Sequence, residues 1–203
     1  MSTPADPGNP PRKDGDPQTF TQEFQFGNLG ARVPEKVARG VFATGALVIQ
    51  GATEFVLDFL LRMNQPHQVV ARVILPINLV PQLIDALKVN LENYRKTHGT
   101  APTPPPQAPA GTHPAPPSID EIYQDLKMSD EVMAGSYANT IMIVHNASEF
   151  CLEFINKIYP RPVITARVFL SAPQVPVLLN SLAQSWQNLQ TKLRQQQPPQ
   201  QNA

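Results

Sequence analysis

The sequence predicts an α+β protein built from two repeats, each a three-stranded antiparallel β-meander followed by one packed helix, paired with each other as an intramolecular pseudo-dimer. Three observations carry this expectation. Residues 40–98 and 135–193 superimpose without a gap at a constant offset of 95, so that Gly40-Val41-Phe42-Ala43-Thr44 falls on Gly135-Ser136-Tyr137-Ala138-Asn139 and Ala71-Arg72-Val73 on Ala166-Arg167-Val168. Such repetition decides architecture before any local reading does. Within each repeat the apolar period changes from two to about 3.6, the mark of strands giving way to a helix. The first strand of each repeat is apolar on both sides, and a strand of that kind has to be covered twice.

The elements follow in order. Ala46-Leu47-Val48-Ile49-Gln50 and Ile141-Met142-Ile143-Val144-His145 are short branched apolar runs, hence first strands. Phe55, Leu57 and Phe59 alternate with Glu54, Val56 and Asp58, and Phe150, Leu152 and Phe154 repeat the pattern, so a second strand sends one set to each face. Asn64-Gln65-Pro66-His67 and Tyr159-Pro160-Arg161-Pro162 suit hairpin loops ahead of a third strand ending at Leu75 or Leu170. Asn78 or Ser171 offers an N-cap with an early proline nearby. The helices then show an apolar stripe at Val80, Leu83, Ile84, Leu87, Leu91 and Tyr94, matched by Val175, Leu178, Leu179, Leu182, Trp186 and Leu189, and Gly99 stops the first. Leu47, Phe55, Leu57, Phe59, Val73, Leu75 and the stripe are the predicted core. The stretch 32–37, equivalent to 127–132, is read as either an edge strand or a turn.

Residues 1–30 are assigned to a disordered N-terminal segment, residues 31–99 to the first repeat and 119–193 to the second. Between them, residues 100–118 form a proline-rich linker of polyproline II character, and 194–203 a Gln- and Pro-rich tail. Each repeat is near the size at which one core barely offsets chain entropy, which favours association of the two. Lysines and arginines equal aspartates and glutamates, 16 against 16, so no overall field draws the chain to nucleic acid or anionic lipid. No apolar run is long enough to span a bilayer, and the N-terminus lacks a signal pattern. With a single cysteine, Cys151, this points to a reducing cytoplasm.

Glu54, Asp58 and Arg72 share one strand face, as do Glu149, Glu153 and Arg167. Two acids flanking an arginine suggest acid–base chemistry or a structural ion pair, and the second reading is preferred because no His or Cys accompanies them in both repeats. Together with Val48 and Ile143 they are the predicted inter-repeat face. His67, His98, His113 and His145 stand apart, without zinc-site spacing, and no phosphate loop or nucleophile elbow is present, so no metal, cofactor or catalytic residue is expected.

Gly135-Ser136-Tyr137-Ala138-Asn139, Glu149-Phe150, Glu153-Phe154, Ala166-Arg167-Val168 and Ser171-Ala172-Pro173 resemble the small bacterial domain of unknown function family 3467. The first repeat resembles it too, with Phe42 in place of the tyrosine and Thr44 in place of the asparagine. The resemblance implies a bacterial, cytoplasmic, self-associating domain and brings no activity. The expected function is therefore a non-enzymatic protein-binding or scaffolding protein, its partner unnamed. The alternative is a nucleic-acid-associated protein using Arg39, Arg62, Arg72, Lys88, Arg95 and Lys96 of the mildly basic first repeat.

Overall fold

The computed structural model describes residues 22–26, 29–102, 118–158 and 161–196. The expectations for residues 1–21, for most of the proline-rich linker, for the Tyr159-Pro160 half of the second hairpin loop and for the end of the tail lie outside these. The chain is α+β. In order it forms β1 (Gln22–Phe26), β2 (Leu29–Val33), α1 (Glu35–Ala38), β3 (Val41–Ala43), β4 (Gly45–Gln50), β5 (Glu54–Leu61), β6 (His67–Pro76) and α2 (Val80–His98). There follow α3 (Ile119–Gln124), β7 (Leu126–Met128), α4 (Asp130–Met133), β8 (Ser136–Tyr137), β9 (Thr140–His145), β10 (Glu149–Asn156), β11 (Val163–Ser171) and α5 (Val175–Gln196). The segment bounds differ from expectation at both ends: β1 and the start of β2 lie inside the segment read as disordered, and α5 continues into the segment read as tail. The stretch read as either an edge strand or a turn divides at Pro34, into the end of β2 and the short α1.

β4, β5 and β6 run antiparallel in one sheet, and β9, β10 and β11 in another. Each second strand carries a bulge at the equivalent place, Phe59/Leu60 and Phe154/Ile155. Around these strands the connections cross. β3, from the first repeat, pairs in parallel with β11 of the second, Val41 opposite Val168 and Ala43 opposite Leu170. β8, from the second repeat, pairs in parallel with β6 of the first, Ser136 opposite Val73 and Tyr137 opposite Ile74. β2 and β7 make the same exchange further along, Arg32 opposite Val163 and Lys127 opposite Gln68. Because β3 runs into β4 and β8 runs into β9 across one bend each, the chain passes from one sheet to the other at both bends, and each sheet holds strands of both repeats.

The bends use equivalent residues with different chemistry. Thr44 donates its N–H to Leu60 O, and its hydroxyl accepts the N–H of Arg62 at 2.9 Å. Asn139 donates to Ile155 O, and its side-chain oxygen accepts the N–H of Lys157 at 2.7 Å. Thr44 thus keeps the role of the asparagine it replaces. Just before each exchanged strand stands a glycine in the left-handed region, Gly40 at φ 64° and Gly135 at φ 72°. A Cβ on Gly40 would lie 2.6 Å from the Phe169 ring and 3.1 Å from Arg167 O, so the close approach of this arm to β11 requires glycine.

The inner faces form one continuous core. Phe55, Leu57, Phe59, Val73 and Leu75 join Phe150, Leu152, Phe154, Val168 and Leu170 and the stripes of both long helices, all buried. Phe59 and Phe154 meet with ring centroids 5.6 Å apart. α5 packs on β4 and α2 on β9, so each helix covers strands of the other repeat. Tyr94 shows this directly: its ring lies 5.3 Å from that of Phe150, and its hydroxyl donates to Ala147 O at 2.8 Å. The predicted N-caps at Asn78 and Ser171 are not used. Each helix instead begins through a 3-10 turn, Ile77–Leu79 or Ala172–Gln174, with no side-chain cap bond at that turn. Gly99, at φ 81°, terminates α2 and donates to Arg95 O.

One face assignment is corrected by the register. Val48 stands opposite Leu57 and Leu47 opposite Asp58, so Val48 belongs with the core face and Leu47 with the polar one. Ile143, opposite Leu152, likewise packs on the core. Both alternating sets of β4 are apolar, so only strand pairing decides which points inward. Among the described residues no helix is long and apolar enough to cross a membrane.

Gly40→Ala is expected to cost at least about 1–2 kcal/mol from the left-handed backbone alone, and more from the clash with Phe169. Gly30→Ala, where a Cβ meets nothing within 4 Å among the described residues, is the control and should stay within about 0.5 kcal/mol of the parent in urea unfolding.

Candidate functional site

The acids and arginines that repeat in the sequence sit on the outer faces of the sheets. Asp58 pairs across strands with Arg72, and Glu153 with Arg167. Arg72 donates from Nε to Asp58 Oδ1 at 2.8 Å and from Nη2 to Oδ2 at 2.7 Å, a two-pronged contact with a carboxylate that is 0% exposed. Its Nη1 reaches Met133 O at 3.4 Å, at the end of α4. Arg167 repeats the arrangement: Nε donates to Glu153 Oε1 at 2.8 Å and Nη1 to Ala38 O at 2.7 Å, at the end of α1. Each arginine therefore ties its own repeat's acid to the arm arriving from the other repeat. Glu54 and Glu149 sit at the hairpin turns, Glu149 accepting from Asn146.

Sequence reasoning missed Tyr123. Its ring lies over the Arg72 guanidinium at 5.6 Å, and its hydroxyl donates to Asp58 Oδ2. α3 holds it there, opened by a capping box in which Ser118 and Glu121 bond each other's backbone N–H. Burial, followed by the Asp58 carboxylate, pushes the Tyr123 phenol up to about 12, so it stays a donor at neutral pH. The only signal available was the capping box ahead of a tyrosine.

Where the two repeats meet, a cleft of about 370 Å³ is lined by equivalent pairs, among them Lys36 with Glu131, Gly40 with Gly135 and Arg72 with Arg167. Lys36 and Glu131 bridge its exposed rim at 2.6 Å. A second cleft of about 330 Å³ opens on the outer face of the second sheet, lined by Val144, Glu149, Cys151, Glu153 and Phe169. Burial, and next to it the Glu153 carboxylate, pushes the Cys151 thiol up to about 11, which keeps it protonated and a poor nucleophile near neutral pH.

Each outer face also carries an apolar row across four strands. Ile49, Val56, Ile74 and Tyr137 stand opposite one another in the first sheet. Val144, Cys151, Phe169 and Phe42 do so in the second. The rows end in exposed rings, Phe42 at 45% and Tyr137 at 42%. Of the histidines, His67 contacts Asn64 O in its hairpin, and His113 lies outside the described residues. His98 and His145 stack with Tyr94, their ring centroids 6.0 Å apart, a cluster the sequence did not suggest. Burial and then His98 lower the His145 pKa. Among the described residues no group of three metal-binding side chains occurs.

Arg72→Met is expected to destabilise by about 3–5 kcal/mol, because it strands a buried Asp58 charge, and Asp58→Leu in the same chain should recover most of that loss in a double-mutant cycle. The Tyr123 phenol has a folded pKa raised from 10.0 to about 12, so its contribution is fully present below pH 10 and is lost as pH rises through 12. Tyr123→Phe should flatten that part of the alkaline stability profile, measured by urea unfolding at stepped pH.

A family model described as protein of unknown function (DUF3467) matches the chain twice, over residues 5–103 and 106–195. No curated protein and no solved structure matches it. The two matches take in the exchanged arms, the arginine-bound acids and both long helices, and the chain belongs to this family as a tandem copy of its domain.

Proposed function

We propose that the chain is a covalently linked pseudo-dimer, each repeat contributing a three-stranded meander and one helix, that works as a non-enzymatic protein-binding or scaffolding protein. The observation that carries this reading is the duplicated apolar row on the outer faces, ending in exposed Phe42 and Tyr137 at equivalent positions. A partly exposed apolar row on a sheet, ending in exposed aromatic rings, is suited to a protein partner. The repeated acids support binding over turnover, since Asp58 and Glu153 are each held by an arginine that also anchors the neighbouring repeat's arm. The nucleic-acid alternative is weaker on the same grounds: Arg72, Lys88 and Lys96 of its basic set are ion-paired with acids of this chain. A single cysteine, with no second one in the chain to form a disulfide, is compatible with the reducing cytoplasmic setting we propose.

Affinity capture of the full chain from its own cells, beside a Phe42→Asp, Tyr137→Asp variant, tests this reading. Both side chains lie on the outer faces with their rings about half exposed, so the variant should keep the fold, checked by urea unfolding beside the parent. The expected result is one protein partner, retained in high salt by the parent and lost by the variant. Retention of nucleic acid that falls steeply with salt and ignores the two substitutions would favour the alternative.

A further inference from the structure

The two arginine–carboxylate sites differ in one respect. In the first repeat Arg72 grips both oxygens of Asp58, and Oδ2 also takes the Tyr123 hydroxyl. In the second repeat the acid is Glu153, one methylene longer, and both Nε and Nη2 of Arg167 go to Oε1, at 2.8 and 2.6 Å. Among the described residues Glu153 Oε2, buried on a side chain only 5% exposed, has no hydrogen-bond partner. A desolvated carboxylate oxygen without a donor is costly. This oxygen belongs to a residue lining the 330 Å³ cleft, whose other walls include Val144, Cys151 and Phe169.

We propose that this cleft is the binding site for a tyrosine side chain of a partner protein, whose phenol donates to Glu153 Oε2. The proposal deepens the protein-binding reading and rests on it for the identity of the occupant. Three arguments select a phenol. The orphan oxygen accepts only, so the ligand must bring an N–H or O–H. Glu149 and Glu153 disfavour an anion, while Arg167 offsets one of these charges, so a neutral donor and a cation compete there and the walls decide between them. The apolar walls suit a ring, and the chain already displays that solution in the other repeat, where the Tyr123 ring covers Arg72 and its hydroxyl meets the equivalent carboxylate.

The test is titration of the full chain with N-acetyl-tyrosinamide, N-acetyl-phenylalaninamide and N-acetyl-argininamide, followed by NMR of Val144 and Cys151. The tyrosine compound should shift both residues and bind about tenfold or more tightly than the phenylalanine compound, the worth of a hydrogen bond to a charged acceptor. Glu153→Gln, which puts a competing N–H donor in place of one acceptor oxygen, should reduce tyrosine to the phenylalanine level. Val144→Glu, at a residue 38% exposed, blocks the entrance without touching the Glu153–Arg167 pair and should abolish binding if the Gln variant fails to fold. Equal binding of the tyrosine and phenylalanine compounds, preference for the arginine compound, or no response at Val144 and Cys151 would each overturn the proposal. Because these probes need no partner protein, the result is separate from the capture experiment on Phe42 and Tyr137.

Discussion

Everything in this fold hangs on the reciprocal crossing of the arms. β3 hydrogen-bonds to β11 and β8 to β6, so the last strand of each repeat is completed by backbone from the other. An edge strand left open would expose a row of unpaired N–H and C=O groups beside an apolar face. The exchange removes that liability at two edges at once and merges two marginal cores into one. It also sets strict local demands. Gly40 and Gly135 must turn the chain in the left-handed region within contact distance of the receiving strand. The bends at Thr44 and Asn139 must each supply a side-chain acceptor for a backbone N–H.

The arginines make sense in that light. Arg72 and Arg167 stand on the third strand of each meander, where one guanidinium can reach both the neighbouring strand's acid and the carbonyl ending the incoming arm. A charge-assisted fork is directional, so it fixes the register of the arm as well as its presence. Buried ion pairs contribute little net stability against an apolar replacement, and what these two add is a directional link between each acid and the arm of the other repeat.

Near-identical halves let the differences stand out. Thr44 for Asn139 changes the residue and keeps the hydrogen bond. Phe42 and Tyr137 both end an apolar row. Asp58 against Glu153 is the consequential change: Arg72 grips both oxygens of the shorter acid and Arg167 one oxygen of the longer, and Glu153 Oε2 is buried without a hydrogen-bond partner among the described residues.

The repeat, the order of its long strands and long helix, the Phe55–Phe59 and Phe150–Phe154 inward faces and the helix stripes were legible in the sequence, because each is a matter of period and spacing along the chain. The partner of each arm was not, since β3 and β8 are too short for their own residues to name the strand they join. Nor was the inward set of β4, where Ala46 and Val48 compete with Leu47 and Ile49 on equal terms until pairing with β5 decides. Tyr123 reached Asp58 from 65 residues away, a contact no local pattern announces. The sequence by itself determined where the long alternating strands and the two amphipathic helices lie and that two copies exist, since alternation and propensity act over a few residues. Only the tertiary structure decided that the copies exchange arms and that one carboxylate is satisfied while its twin is not, since those depend on distances between residues far apart in the chain.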